Sequence, residues 1–206
     1  MKKKIIERLK ELYPDVKTAL FYRNPFELLI ATILSAQTND NQVNKVTITL
    51  FDKYPSPALL GALKPEELAE YIKTIGLYKN KSKNIIATCN LLVEKHNGQV
   101  PQNREDLMNL PGVGRKTANV VLSCAFNIPS IAVDTHVFRV SNRLGLVAGK
   151  DTLETEKQLM DVIPKESWSD AHHWLIWHGR LVCKARNPMC EECQLRGLCN
   201  FEQKKG

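Results

Sequence analysis

The chain has 206 residues, an apolar fraction of 43%, a charged fraction of 25% and a formal net charge of +7, from 29 lysines and arginines against 22 aspartates and glutamates. This composition excludes a disordered chain, a collagen-like chain and a disulfide miniprotein. A chain of this length buries roughly 70% of the surface its unfolded form exposes, enough for one large or two small domains without cross-links. No apolar run approaches the roughly 18 residues of a membrane span, and Glu7, Arg8 and Lys10 interrupt any signal-peptide core behind the basic start. The expectation is a soluble cytoplasmic protein with no targeting signal.

Helical spacing accounts for the chain from end to end. Ile5, Ile6, Leu9, Leu12 and Tyr13 share one face of a first helix that Pro14 stops. Asn24-Pro25 is a cap followed by proline at the first helical position, opening a helix over residues 26–36. A polar break at residues 38–40 precedes another that runs to about Tyr54. Pro65 starts a helix ending at Gly76, and residues 79–96 form a long one closed by Asn97-Gly98. Shorter helices are predicted over 104–110, 115–126 and 135–144, the last stopped by Gly145. Asp151, with Glu154 three residues on, resembles a capping box for a helix ending before Pro164, and 167–183 is the last long one. No Asn-Gly or Asp-Gly turn joins two alternating runs, so no sheet is assigned.

The positive charge is spread rather than concentrated in a tail. Three stretches lack any acid: residues 71–93 with Lys73, Lys79, Lys81 and Lys83, residues 107–133 with Arg115 and Lys116, and residues 171–190 with Arg180, Lys184 and Arg186. Brought together they would form one face for a polyanion; taken singly, each is a solvated helix face.

Of the six cysteines, Cys89 and Cys124 lie on apolar helix faces as small core residues. Cys183, Cys190, Cys193 and Cys199 crowd into 17 residues. Four thiolates so close need a cation, which points to a metal centre; spacing alone leaves zinc and iron–sulfur both open. The loop of residues 184–189, tied at both ends by Cys183 and Cys190, would display Lys184 and Arg186 to phosphates with little entropy left to lose.

The run Leu110-Pro111-Gly112-Val113-Gly114-Arg115-Lys116 places a tight glycine turn before a helix. Backbone N–H groups at such a start make an anion site suited to a DNA phosphate, a helix-hairpin-helix candidate. Lys116, in the first turn, is either another phosphate ligand or, as a neutral amine, a nucleophile. Asp134 is the first acid after the 107–133 stretch and stands just before a helix. It can cap that helix, stabilise positive charge at a sugar carbon, or do both.

Together the glycine turn with Lys116, the segment Val133-Asp134-Thr135-His136-Val137-Phe138-Arg139-Val140, and His178-Gly179-Arg180 leading into the four cysteines resemble the endonuclease III family, bacterial base-excision repair glycosylases of the helix-hairpin-helix superfamily. Leu34-Ser35-Ala36-Gln37-Thr38 and Ile72-Lys73-Thr74-Ile75-Gly76-Leu77-Tyr78 match it too, in order, over nearly the whole chain. The resemblance implies an all-α fold of two domains. One is a six-helix barrel over about 18–130 containing the hairpin at about 107–126. The other joins 1–17 to 131–206 and holds one 4Fe-4S cluster on Cys183, Cys190, Cys193 and Cys199. It implies Lys116 as nucleophile and Asp134 as its partner across an interdomain cleft, with Gln37 and Leu77 filling the gap left by an extruded base. Gly112, Gly114, Arg115, Lys81, Lys184 and Arg186 are the expected DNA contacts. The implied substrate is double-stranded DNA bearing oxidised pyrimidines or abasic sites, met by a monomer at the nucleoid.

Two relatives fit less well. Adenine-mismatch glycosylases carry a glutamate ahead of the Gln37 segment, where this chain reads Ala31-Thr32-Ile33-Leu34-Ser35, and an extra C-terminal domain that is not expected here. Thymine-mismatch enzymes place another residue where Lys116 stands. A non-catalytic DNA-binding or redox module would need only the turn and the cysteines, leaving Lys116 and Asp134 without purpose.

Overall fold

The computed structural model describes residues 1–203. Twelve α-helices are found among them, in chain order α1 (Lys2–Leu12), α2 (Pro25–Ser35), α3 (Asp40–Lys53), α4 (Pro57–Gly61), α5 (Pro65–Tyr71), α6 (Tyr78–His96), α7 (Arg104–Met108), α8 (Arg115–Phe126), α9 (Thr135–Leu144), α10 (Thr152–Val162), α11 (Trp168–Leu181) and α12 (Asn200–Gln203). Short 3-10 turns at Lys165–Ser167 and Arg196–Leu198 complete them, and the described residues contain no strand. None of the described helices is long and apolar enough to cross a membrane.

The helix starts follow side-chain chemistry. Asn24, Asn39, Asn103 and Asp151 each accept a hydrogen bond from a backbone N–H of the first turn they precede, satisfying donors the helix cannot. Glu154 departs from the expected box: its carboxylate accepts from the N–H of Lys150, one residue outside the cap, at 2.9 Å. Helix α4 was not expected from the apolar spacing, yet Ser56-Pro57 carries the same cap-then-proline signal as Asn24-Pro25. The helix opened by Pro65 ends at Tyr71, short of Gly76, because the chain tightens into a turn with the Ile75 N–H on the Ile72 carbonyl. That turn buries Ile72 and Ile75, three residues apart, in the same core.

The chain divides into two compact units, residues Ala19–Asn127 and, separately, Met1–Thr18 with the chain from Ile128 onward. In the first, α2 is buried on every side, from Leu28 to Leu34; a helix apolar all round must lie inside its neighbours, here α3, α6 and α8. In the second, Ile5 and Leu9 of α1 join Val137, Val140 and Leu144 of α9 and Trp174 and Leu175 of α11 in one core. Gly179 permits the close approach of α9 and α11, since a methyl group there would lie 3.0 Å from Val140 Cγ2 and 3.2 Å from His136 Cβ.

Candidate active site and cluster loop

In the unit of α2 to α8, the glycine turn is fastened before it is functional. Leu110 and Val113 are buried, and Thr88 of α6 donates to the Pro111 carbonyl at 2.8 Å. Gly112 adopts φ +79°, and a side chain there would press on Asn84 of α6 at 3.2 Å; both conditions demand glycine. Gly114 stands extended at the head of α8, and no side chain caps that helix start, nor is there an acid in its first turn. An open helix start of this kind is suited to an anion. Arg115 is half-buried and Lys116 is exposed.

Two further loops of the same unit carry Gln37 and Leu77. Both side chains are exposed, and both residues hold left-handed backbone, φ 58° and 59°, which non-glycine residues adopt only at a cost. The loops touch: a methyl group on Gly76 would lie 3.4 Å from the Gln37 carbonyl oxygen. Gln42 ties them again by donating to Thr74 Oγ1 at 2.7 Å.

Lys81 requires a correction. Expected as a DNA contact, it is 5% exposed, and its ammonium donates to the carbonyls of Leu34 at 2.8 Å and Ala36 at 2.6 Å, with Thr38 Oγ1 at 3.4 Å. Burial pushes the ammonium below the ordinary lysine value. A cation committed to carbonyls at the negative end of α2 is not available to a phosphate. Lys73, Lys79 and Lys83 of the same acid-free stretch are exposed.

In the other unit, Ile131, Ala132 and Val133 are buried, and the Ala132 carbonyl lies 2.6 Å from His172 Nδ1 of α11. Asp134 follows. Its Oδ1 accepts from the N–H groups of His136 and Val137, both at 2.8 Å, so it caps α9. Oδ2 takes no part in the cap; it stands 3.4 Å from His136 Nδ1 without hydrogen-bond geometry. The side chain keeps 23% exposure. Capping therefore uses one oxygen and leaves the other outside the cap.

None of the six cysteines is in a disulfide. Among the described residues, no three Cys, His, Asp or Glu side chains gather closely enough to hold a single metal ion. Cys183, Cys190, Cys193 and Cys199 instead line one small, half-open pocket together with Leu144, His178, Val182, Pro188, Met189, Arg196 and Phe201. Thiols distributed around an apolar volume fit a polynuclear iron–sulfur cluster, with a cysteine for each iron, better than the tetrahedral site of one zinc. His178 is 1% exposed, and burial pushes its imidazole down to about 4, which keeps it neutral. Its Nε2 faces Cys193 Sγ at 3.7 Å and its Nδ1 faces the Tyr13 hydroxyl at 3.0 Å. A neutral ring has one donor: Nε2–H directed at the sulfur leaves Nδ1 to accept from Tyr13, an outer-shell arrangement that orients a ligand.

Two residues with no role assigned from sequence hold the loop. Arg139 of α9 donates to the carbonyls of Cys183 and Gly179, and Arg143, one turn on, donates to those of Lys184 at 2.8 Å and Ala185 at 3.1 Å. Their spacing of four on one helix was the available signal. The loop backbone is clamped, and the side chains of Lys184 and Arg186 are exposed.

Comparison with known proteins bears on these features. Residues 30–165 match the family model of the HhH-GPD superfamily base excision DNA repair proteins, and residues 183–199 match the iron-sulfur binding domain of endonuclease III. The chain is 54% identical to endonuclease III of Haemophilus influenzae over 97% of its own length and 95% of that protein's. It is 52% identical to endonuclease III of Bacillus subtilis over 97% and 92%. Among solved structures, a trapped endonuclease III–DNA covalent intermediate superposes with a TM-score of 0.94 at 52% identity, covering 100% of this chain and 98% of that one. A thermostable thymine-DNA glycosylase superposes with a TM-score of 0.89 at 25% identity, covering 98% and 97%.

Proposed function

The chain belongs to the endonuclease III family of the HhH-GPD superfamily, the DNA glycosylases and AP lyases of base-excision repair, and from that premise we propose that Lys116 and Asp134 carry out the excision of oxidised pyrimidines, of thymine glycol type, from duplex DNA. A base inside the stack is out of reach of any side chain. The nucleotide must turn outward, at a cost of a few kcal/mol that a lesion lowers. Gln37, with an amide that both donates and accepts, serves the orphaned partner base, and Leu77 wedges apolar surface between base steps. The turn at Gly112 and Gly114 with the open start of α8 receives a backbone phosphate, assisted by Arg115, and Lys184 and Arg186 receive others.

The neutral amine of Lys116 attacks C1′. The glycosidic C1′–N bond breaks, and its electron pair leaves with the base, which takes up a proton. Opening of the sugar ring yields a protonated Schiff base at C1′. That cation acidifies the C2′ proton; its removal drives electrons onto the C3′–O bond and expels the 3′ phosphate by β-elimination. Water then hydrolyses the Schiff base and frees Lys116. Asp134, which caps α9 through Oδ1, offers Oδ2 to the positive charge developing at the sugar and to the proton transfers.

The chain carries one 4Fe-4S cluster, for which Cys183, Cys190, Cys193 and Cys199 are the proposed ligands. Bound there, the cluster supplies a rigid cross-link for the loop that presents Lys184 and Arg186. The enzyme acts as a monomer, in the cytoplasm at the nucleoid, on damaged and abasic duplexes.

The observation that carries this reading is an exposed lysine amine at an uncapped helix start, in a chain 52% identical to an endonuclease III trapped covalently on DNA. Borohydride reduction tests it. Wild type incubated with abasic duplex and borohydride should give a covalent adduct, and Lys116→Gln should bind the duplex and give none. Absence of a wild-type adduct would refute the lyase chemistry.

A further inference from the structure

We propose that Lys81 is a positioning residue for base extrusion: its buried ammonium sets the geometry of the loop carrying Gln37, from the first turn of the helix that follows Leu77. The inference rests on the reading above that Gln37 and Leu77 occupy the gap left by the extruded nucleotide.

Lys81 engages each loop with a different end. Its backbone N–H donates to the Leu77 carbonyl at 3.0 Å, in the first turn of α6. Its ammonium reaches the other loop, donating to the carbonyls of Leu34 and Ala36, with Thr38 Oγ1 beside them. Leu34 and Ala36 lie at the end of α2, where carbonyls have no partner within the helix, and Ala36 immediately precedes left-handed Gln37. The ammonium thus holds both neighbours of Gln37, Ala36 by its backbone carbonyl and Thr38 by its side-chain hydroxyl. It also sits at the negative end of the α2 dipole, which favours a cation there.

The position within α6 explains why this lysine is buried while its neighbours are not. Lys81 lies four residues before Ile85 and eight before Cys89, both wholly buried, whereas Lys79 and Lys83 are exposed. A buried ammonium is retained against its desolvation cost only where the polar partners are well placed. Left-handed backbone at Gln37 and Leu77 persists only where the surroundings over-determine it. At Gln37 the contacts of the ammonium meet both requirements. Without the ammonium, the Leu34 and Ala36 carbonyls lose their donor, and the loop can relax out of the conformation that aims Gln37.

Two readouts separate this role from a phosphate contact and from a general stability effect. The first is the salt dependence of binding to an intact duplex. Loss of one phosphate contact lowers the slope of log K against log salt by about one, whereas Lys81→Met should leave it unchanged. The second is a double-mutant cycle on single-turnover excision of thymine glycol. Lys81→Met and Gln37→Ala should each slow excision about tenfold. The double variant should be no more than about twofold slower than the slower single variant, because both remove the same function. Lys81→Gln keeps two N–H donors and should fall between wild type and Lys81→Met; it also serves if Lys81→Met does not fold.

A slope lowered by about one would overturn the proposal, as would multiplicative rate losses in the double variant. Normal excision by Lys81→Met or Lys81→Gln beside a slow Gln37→Ala would overturn it while leaving the Gln37 reading intact. Wild-type excision by Gln37→Ala would instead overturn the Gln37 reading on which it rests.

Discussion

Gln37 and Leu77 stand in touching loops with the same left-handed backbone, φ 58° and 59°, and both side chains are exposed. Each conformation costs on the order of 1–3 kcal/mol for a residue with a side chain. The fold holds that cost with buried Lys81 and with the Gln42–Thr74 hydrogen bond, while exposing the two side chains to solvent. On the proposed function, that strain shapes the surface that meets the duplex.

Leu77 is 58% exposed, so its truncation should cost the fold little. Leu77→Ala should change unfolding stability in urea by no more than about 0.5 kcal/mol. It should slow single-turnover excision about tenfold or more, through loss of the wedge. A large stability loss with normal excision would show that Leu77 is a packing residue.

Asp134 divides its oxygens between a cap and the proposed chemistry, and two substitutions separate them. Asparagine caps as well as aspartate, so Asp134→Asn should keep stability within about 0.5 kcal/mol and still lose most glycosylase activity. Asp134→Ala should lose activity and also about 1 kcal/mol of stability. Full activity in Asp134→Asn would reduce the residue to its cap.

The cluster loop offers a parallel contrast. Lys184→Ala should weaken binding to every duplex sequence and lower the salt slope by about one. Arg143→Ala removes the donors to the Lys184 and Ala185 carbonyls; it should weaken binding through loss of loop order, with the slope unchanged. Equal slopes for wild type and Lys184→Ala would remove that residue from the interface.

His173 makes stability depend on pH. Burial pushes its imidazole from 6.5 down to about 4, opposed in part by Asp170, and its ring packs beside that of His172 at 4.8 Å. The unfolded ring binds a proton below about 6.5 and the folded ring only below about 4, so the unfolded chain holds more protons in between. The contribution is present in full above pH 6.5 and is lost as the pH falls to about 4, worth roughly 3 kcal/mol across the window. His173→Gln should flatten the stability profile over that range in denaturant titrations; an unchanged profile would contradict the assignment.

Much of the fold is legible in the sequence because caps are local. Asn24, Asn39, Asn103 and Asp151 announce their helices, and Asn97 and Gly145 stop theirs in left-handed conformations. Lys81 shows where local pattern misleads. By charge it groups with Lys79 and Lys83; by helical phase it belongs with Ile85 and Cys89 on the buried stripe of α6. Phase prevails because a ready set of carbonyls at the end of α2 satisfies the ammonium, and nothing in the α6 sequence reveals those carbonyls. The same holds for Arg139 and Arg143, whose partners lie some forty residues away along the chain. That only one Asp134 oxygen caps α9 is likewise a matter of atomic positions that residue type cannot express.

The most direct test of the account is to locate the covalent bond. Wild-type protein trapped on abasic duplex with borohydride, digested and analysed by tandem mass spectrometry, should carry the reduced sugar on Lys116 alone. A sugar found on Lys79, on the Met1 amine or on any other nitrogen would contradict the assignment of the nucleophile.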